Sequence, residues 1–296
     1  MNRQKIAAGI VTYNPDIAQF RECLSSVSLQ AEKIIVCDNA SENVKEIRML
    51  IREFPKTVLV RARRNTGIAK ALNQIFRRAE EEGYDWVLTL DDDSVCGRDM
   101  LELLCRYITE EGTGIVCPVA VDRRMAESDQ EQEKQIREKL AYPESCITAG
   151  SLTSVAAWKA VGGFDEYMFI DFVDIEFCKR LRNAGYQIVQ VCSARVYQQY
   201  GNIKGSFRLF GRRWYRFDYS PVRIYYSVRN QIYYMKKHRK TLSVSRQILY
   251  LTGYIGKRLV FEHNRAASMK AVLKGIRDGC GKKVIPAGDH TGSDGR

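Results

Sequence analysis

Histidine is nearly absent from this 296-residue chain. The three it has, His238, His263 and His290, all lie near or in its last fifth. A body without histidine that moves protons near neutral pH must use carboxylates, or an unusual lysine or cysteine. There is no C-x-x-C pair either. Nine cysteines, an odd number, are scattered, and several (Cys37, Cys117, Cys192) sit in apolar runs where a thiol behaves as a small hydrophobe. That excludes a disulfide framework and a zinc site, and with no signal peptide the expected location is cytoplasmic. No apolar run approaches the roughly 20 residues needed to span a bilayer. No glycine-rich dinucleotide fingerprint or Walker phosphate loop occurs, and Gly112-Thr113-Gly114 lacks the third glycine.

Acid is scarce in one region only. Residues 201–296 hold 21 Lys/Arg against five Asp/Glu, whereas residues 1–200 hold 26 against 30. The net charge of +12 therefore belongs to the C-terminal third. Such a balance suits an anionic partner: nucleic acid, lipid headgroups or a phosphate-bearing acceptor.

What is present begins with Trp86-Val-Leu-Thr-Leu90, an apolar run that ends abruptly in Asp91-Asp92-Asp93-Ser94. Three adjacent carboxylates repel one another. A solvated acidic turn is one reading. The other is a hard divalent cation, Mg²⁺ or Mn²⁺, that shares its oxygen ligands with a substrate phosphate. Strands are expected over Lys5–Thr12, Lys33–Cys37, Thr57–Arg61 and Asp85–Leu90. Helices are expected over Ile17–Leu29, Val44–Phe54, Ile68–Glu82 and Met100–Glu110, from apolar residues at helical spacing. This alternation predicts an α/β fold with a mostly parallel central sheet flanked by helices. Polar residues gather at each strand's C-terminal end: Thr12 to Asn14, Asp38 to Ser41, Asn65 to Gly67 and Asp91 to Asp93. In such a sheet those ends form one crevice, the usual ligand site.

Further on, Gly114–Val121 reads as a strand, Asp122–Glu138 as a mobile insertion, Val155–Val161 as a short helix and Gln187–Cys192 as a strand. Asp171, Asp174 and Glu176 lie near the start of a helix that ends at Gly185. They serve either as first-turn dipole partners or as a source of a general base. Three domains follow: a catalytic domain over 1–205, a basic, aromatic-rich helical region over 206–285, and a disordered tail over 286–296.

Taken in order, these motifs resemble the family-2 inverting glycosyltransferases with the nucleotide-diphospho-sugar transferase (GT-A) fold, and within them bacterial rhamnosyltransferases. The carrying residues are Val11-Thr-Tyr-Asn-Pro15, Asp38-Asn-Ala-Ser41, Asn65-Thr-Gly-Ile-Ala-Lys-Ala-Leu-Asn73, Leu90-Asp-Asp-Asp-Ser94, Ala149-Gly-Ser151, Gly162-Gly-Phe-Asp165 and Phe169-Ile-Asp-Phe-Val-Asp-Ile-Glu-Phe-Cys178. Ser220-Pro-Val-Arg-Ile-Tyr-Tyr-Ser-Val-Arg-Asn230 adds to the rhamnosyl likeness.

The resemblance implies that Thr12, Tyr13, Asn14, Asp38, Asn65, Gly67, Asp91 and Asp92 bind the nucleotide-sugar. It implies that Asp93, with Asp91, holds the metal, and that Asp174 is the catalytic base. Gly150, Ser151, Asp171 and Gln198 would contact acceptor or sugar. Val173-Asp174 stands where the family has Glu-Asp. Gln198 or Gln199 stands where it has a histidine, with Lys204 a candidate compensating cation. The implied partners are a nucleotide-diphospho-sugar donor, dTDP-rhamnose or alternatively a UDP-hexose, and a cell-surface glycan or lipid-linked acceptor.

The basic and aromatic residues from Arg223 to Lys240 suit either a helix with a solvated charged face or peripheral association with an anionic membrane surface. Nucleic acid is not expected, because a nucleic-acid module would leave the convergent acids unexplained. A nucleotidyltransferase would want a basic glycine-rich loop after the first strand, and Val11–Asp16 has none.

Overall fold

The first strand, β1 (Ile6–Thr12), is apolar along nearly its whole length because both of its faces are covered. The computed structural model describes residues 4–125, 139–199, 203–209, 212–217, 219–261 and 264–284. The expected tail over 286–296 and most of the expected insertion, residues 126–138, lie outside these. Strand β1 pairs in parallel with β2 (Lys33–Asp38) on one side and with β4 (Trp86–Asp91) on the other, and β3 (Thr57–Arg61) extends the sheet beyond β2. The connections are α1 (Ile17–Ser28), α2 (Val44–Ile51) and α3 (Ile68–Glu81). Helix α1 starts where Asp16 accepts hydrogen bonds from the backbone of Ala18 and Gln19, a cap worth about 1 kcal/mol. It buries Phe20, Leu24 and Val27 at helical spacing, about 2 kcal/mol each.

The second half of the sheet is mixed. A two-residue strand, β5 (Val95–Cys96), and α4 (Met100–Cys105) follow the acidic triplet. The helix is one turn and a half, shorter than the expected Met100–Glu110. Then come β6 (Thr113–Asp122), β7 (Leu140–Ala141), β8 (Leu152–Ser154), α5 (Val155–Ala160), α6 (Val173–Asn183) and β9 (Gln187–Gln198). Strand β8 lies antiparallel between β4 and β6, and β9 runs parallel to β6. Both β5 and β7 pair antiparallel with β9. All of this belongs to one compact unit, residues 1–167 with 173–199.

The second unit comprises residues 168–172 and 200–296. It holds a hairpin of β10 (Ile203–Leu209) and β11 (Arg212–Phe217) and three helices, α7 (Pro221–Lys237), α8 (Val244–Phe261) and α9 (Arg265–Gly281). Ile224, Val228 and Ile232 of α7 pack with Leu251 of α8 and with Ala271 and Val272 of α9. Helix α9 approaches α7 closely: a Cβ at Gly275 or Gly279 would lie 2.8 or 2.9 Å from a carbonyl oxygen of α7.

One stripe of α7 grips residues 169–172. Arg223 Nη2 donates to Asp171 Oδ1 at 3.1 Å, and the Ser227 hydroxyl donates to Asp171 Oδ2. The Asn230 amide donates to the carbonyls of Ile170 at 2.7 Å and Asp171 at 3.0 Å. Tyr226 stacks on Phe169, and Tyr234 packs on Phe172. These contacts hold two consecutive non-glycine residues, Asp171 (φ 62°) and Phe172 (φ 65°), in the left-handed region, which is costly for both.

Candidate active site

The C-terminal ends of β1, β2 and β4 are tied to one another and to the turn before α3. The Asn14 backbone N–H donates to Ser41 Oγ at 2.8 Å, and Asn14 Oδ1 accepts from the Glu42 N–H at 2.8 Å. Asn14 has φ 50° and Ala40 has φ 66°, so both loops turn tightly at the crevice. Asn39 is the hub. Its Oδ1 accepts from the Thr66 N–H at 2.9 Å, and its Nδ2 donates to Asn65 Oδ1, also at 2.9 Å. Asn65 Oδ1 in turn accepts from the N–H of Gly67, the residue that opens α3. Asn65 and Gly67 are thus held in place by Asn39, a residue with no role assigned from sequence although it lies inside the Asp38–Ser41 motif.

Two buried acceptors wait at these strand ends. Thr12 is fully buried and its hydroxyl has no hydrogen-bond partner. Asp38 is also fully buried. Its Oδ1 accepts from the Ser41 N–H, and its Oδ2 has only the Arg61 guanidinium at 3.4 Å. Buried polar atoms left without a hydrogen bond are costly, and a ligand that donates to them recovers that cost. Tyr13, between Thr12 and Asn14, is half exposed.

At the end of β4 the acidic triplet is partly buried. Burial pushes the Asp92 carboxyl up to about 7, and the charges of Asp91 and Asp93 add to this; the Tyr13 N–H pulls it back only partly. Burial also raises Asp93, against its own backbone N–H and the nearby Arg123. Arg123 itself pairs with Glu22. Strand register brings Gln198 to this edge. Gln198 lies beside Asp122 on β6, and Tyr197 lies beside Val95, two residues after Asp93. Gln198 is 8% exposed and its Oε1 has no hydrogen-bond partner. The side chain of Lys204 and the residues just after Gln199 lie outside what the structure describes.

Among the described residues no three His, Cys, Asp or Glu side chains converge into a ready-made metal cage. The donor set still fits Mg²⁺ or Mn²⁺. It consists of crowded carboxylate oxygens, one of which burial and the neighbouring charges push toward neutrality, and Mg²⁺ commonly takes only one or two carboxylates, with phosphate and water completing its sphere.

Asp174 sits in the first turn of α6, with Oδ1 accepting from the Ile175 N–H at 2.8 Å. It lines a small cavity with Thr89 of β4, Thr148, Ser151 and Cys178. Gly150 and Ser151 form the loop beside it. Gly150 has φ 82°, and a Cβ there would meet Pro118 and Val196 at 2.8 and 2.9 Å, so no other residue fits without rearrangement. The Ser151 hydroxyl donates to the Ile147 carbonyl at 2.5 Å. Glu176 has a structural partner: it is fully buried and chelates Arg180, with Nη2 to Oε2 at 2.7 Å. The structure brings Asp38, Asn65, the triplet, Gln198, Gly150–Ser151 and Asp174 into one unit. Asp171 belongs to the other, where Arg223 and Ser227 occupy its carboxylate.

A crevice at the ends of parallel strands, an acidic triplet and a carboxylate at a helix start stand together in the first unit. The profile of glycosyl transferase family 2 matches residues 8–169, more than half of the chain, and the chain belongs to that family. It is similar to dTDP-rhamnosyl transferase RfbF of Shigella flexneri, with 28% identity over 288 residues that cover 92% of this chain and 95% of the relative. Among solved structures it resembles GalNAc-T7 with UDP, GalNAc and Mn²⁺ (TM-score 0.59, 14% identity, 80% of this chain and 48% of that one). It also resembles TarS 1–349 of S. aureus in complex with UDP-GlcNAc (TM-score 0.55, 15% identity, 93% of this chain and 80% of that one). At these identities the likeness is one of fold, the GT-A fold.

Proposed function

We propose that the chain transfers rhamnose from dTDP-rhamnose, with inversion, to a hydroxyl of a cell-surface polysaccharide or lipid-linked glycan. The observation that carries the donor is the rhamnosyl transferase relative, which aligns along 92% of the chain rather than over the nucleotide site alone. Asp38 and the Thr12 hydroxyl are buried acceptors suited to N–H and O–H donors of the nucleotide. Asn14, Asn65 and Gly67 flank it, and Tyr13, half exposed, can cover it. Asp93, with Asp91, would hold Mg²⁺ or Mn²⁺, which when bound neutralises charge on the departing diphosphate. Gln198 can donate its amide to the same diphosphate. Gly150 lets the main chain approach the sugar closely, with Ser151 fixing that loop. Asp174 takes the proton from the acceptor hydroxyl as its oxygen attacks the anomeric carbon from the face opposite the leaving group. One displacement inverts the centre, and no covalent intermediate or second catalytic carboxylate is required. Asp171, expected to contact acceptor or sugar, has its carboxylate engaged by Arg223 and Ser227.

The test is a donor panel: dTDP-rhamnose, UDP-galactose, UDP-glucose and UDP-N-acetylglucosamine, each with Mn²⁺ or with chelator. Nucleoside diphosphate release and thermal shift are the readouts. Preference for dTDP-rhamnose, dependent on metal and lost in Asp93→Asn, is expected. Preference for a UDP-sugar would overturn the donor assignment, and no donor binding at all would overturn the site.

A further inference from the structure

Residues 219–277 contain thirteen Lys or Arg and a single acid, Glu262. Within this stretch α8 is the helix least covered by its own unit. Of its described side chains only Leu251 and Arg258 are buried, with Tyr254 and Ile255 packed beside Leu251 against the α7 and α9 core. The opposite side is where a water-facing helix carries paired Glu and Lys. Here it carries Leu249 and Tyr250, which are 71% and 55% exposed, while Ile248, 49% exposed, flanks the buried side. Val244, one turn before Ile248, is exposed on that same flank. The two formal charges on the outward side are both positive, Arg246 and Lys257. The Arg246 guanidinium lies 5.7 Å from the Tyr250 ring, an amphipathic pair of the kind found at headgroup level. On α9, Met269 and Leu273, one turn apart, are exposed, each followed by a lysine, Lys270 and Lys274. No described helix is long and apolar enough to cross a membrane.

We propose that α8 docks this protein on an anionic lipid surface, with Leu249 and Tyr250 entering the headgroup boundary, Ile248 at their flank, while Arg246 and Lys257 meet lipid phosphates. A helix that combines exposed aliphatics, an aromatic and cations only is the composition that binds in the plane of an interface. A second copy of the chain is the poorer occupant, because two surfaces this basic repel each other. A nucleic acid would leave Ile248 and Leu249 in water, since aliphatic side chains offer bases nothing to stack on.

The experiment is co-sedimentation of the full chain with vesicles of phosphatidylcholine alone, or mixed with phosphatidylglycerol, at low and high sodium chloride. It needs no donor, acceptor or metal, so its outcome is separate from that of the donor panel. Binding is expected only with phosphatidylglycerol and should weaken about tenfold or more at high salt, as screening removes the lysine and arginine contribution. The exposed triple variant Ile248→Ser/Leu249→Ser/Tyr250→Ser should lose at least about tenfold in binding while its melting temperature stays unchanged. Arg246→Gln/Lys257→Gln should bind more weakly at low salt and show a shallower salt dependence. The proposal is overturned if the wild type stays in the supernatant with anionic vesicles at low salt. It is also overturned if the triple variant binds as the wild type does, or if the triple substitution instead abolishes a concentration-dependent dimer.

Discussion

Asn73 makes four hydrogen bonds from inside α3, and replacing it tests how the loop after α5 is held. Its Nδ2 donates to the Phe164 carbonyl at 2.9 Å and to Glu166 Oε1 at 3.1 Å. Its Oδ1 accepts from the Trp158 indole at 3.0 Å and from the Phe164 N–H at 2.8 Å. Trp158 stacks on Phe76 with ring centres 5.3 Å apart, and Phe164 packs edge-on to the same ring. Asn73→Leu keeps the volume and leaves three buried polar groups unpaired: one indole N–H, one backbone N–H and one carbonyl. Each such group costs about 1–3 kcal/mol. They share one site, so the total falls short of the sum, at roughly 3–4 kcal/mol. For a unit of this size each kcal/mol lowers the melting temperature by about 2–4 °C, so a fall of about 6–16 °C is expected. Urea unfolding followed by tryptophan fluorescence measures it, with Trp158 as a local reporter. Arg77→Ala, which removes only a half-exposed ion pair to Glu166, should cost under about 1 kcal/mol. If Asn73→Leu costs no more than Arg77→Ala, the hydrogen-bond argument for this loop is wrong.

Asp92 should make the metal-free protein less stable as pH rises. Its folded-state pKa, about 7, exceeds the ordinary 3.8, so the penalty is absent below pH 4 and grows until about pH 7. Asp92→Asn should remove that slope, recovering at most about 4 kcal/mol at neutral pH. Melting curves from pH 4 to 8 in chelator check this, and parallel curves for both proteins would refute it. Glu176→Gln leaves the buried Arg180 charge uncompensated and should cost about 3–5 kcal/mol, whereas Glu176→Met with Arg180→Met should cost far less; equal losses by urea denaturation would exclude the pairing argument. Of the nine cysteines, exposed Cys280 should react first with iodoacetamide at pH 8. Cys37 and Cys96, whose thiols burial pushes up to about 12, should stay unlabelled until the protein unfolds, and mass mapping that finds them labelled alongside Cys280 would contradict their burial.

Strands β1, β2 and β4 could be read from the chain because parallel strands covered on both faces are continuous apolar runs, and the half-buried edge strand β3 through its β-branched Thr57, Val58 and Val60. Their helices announced themselves through spacing and through caps such as Asp16. Strands β5, β7 and β8 have two or three residues each, too few for any periodicity, and exist because β9, β4 and β6 offer partners to pair with. Strand β9 runs six residues past Cys192 through Ser193, Arg195 and Gln198, polar positions that pairing with β6 and β5 explains. Within the site, carboxylates at strand ends stand out because charge after an apolar run is conspicuous. Asn39 and Asn73 do not. An asparagine becomes a hub only when folding delivers partners from afar, and Phe164 lies 91 residues from Asn73. Glu176 carries the same first-turn signal in sequence as Asp174, and only folding buries Arg180 against it.

The five residues gripped by α7 give the chain an unusual itinerary. It leaves the first unit after Tyr167, spends Met168–Phe172 in the second, and returns at Val173, one residue before Asp174. A truncation after Gln199 would therefore not yield a self-sufficient catalytic half. It would strip Asp171 of Arg223 and Ser227 and strip the Ile170 and Asp171 carbonyls of Asn230, leaving a left-handed two-residue turn with nothing to hold it. The same holds for chimaeras: a C-terminal region taken from another member of the family must bring its own version of residues 168–172. The portable cassette in this protein is discontinuous, a five-residue loop plus about a hundred residues at the far end of the chain.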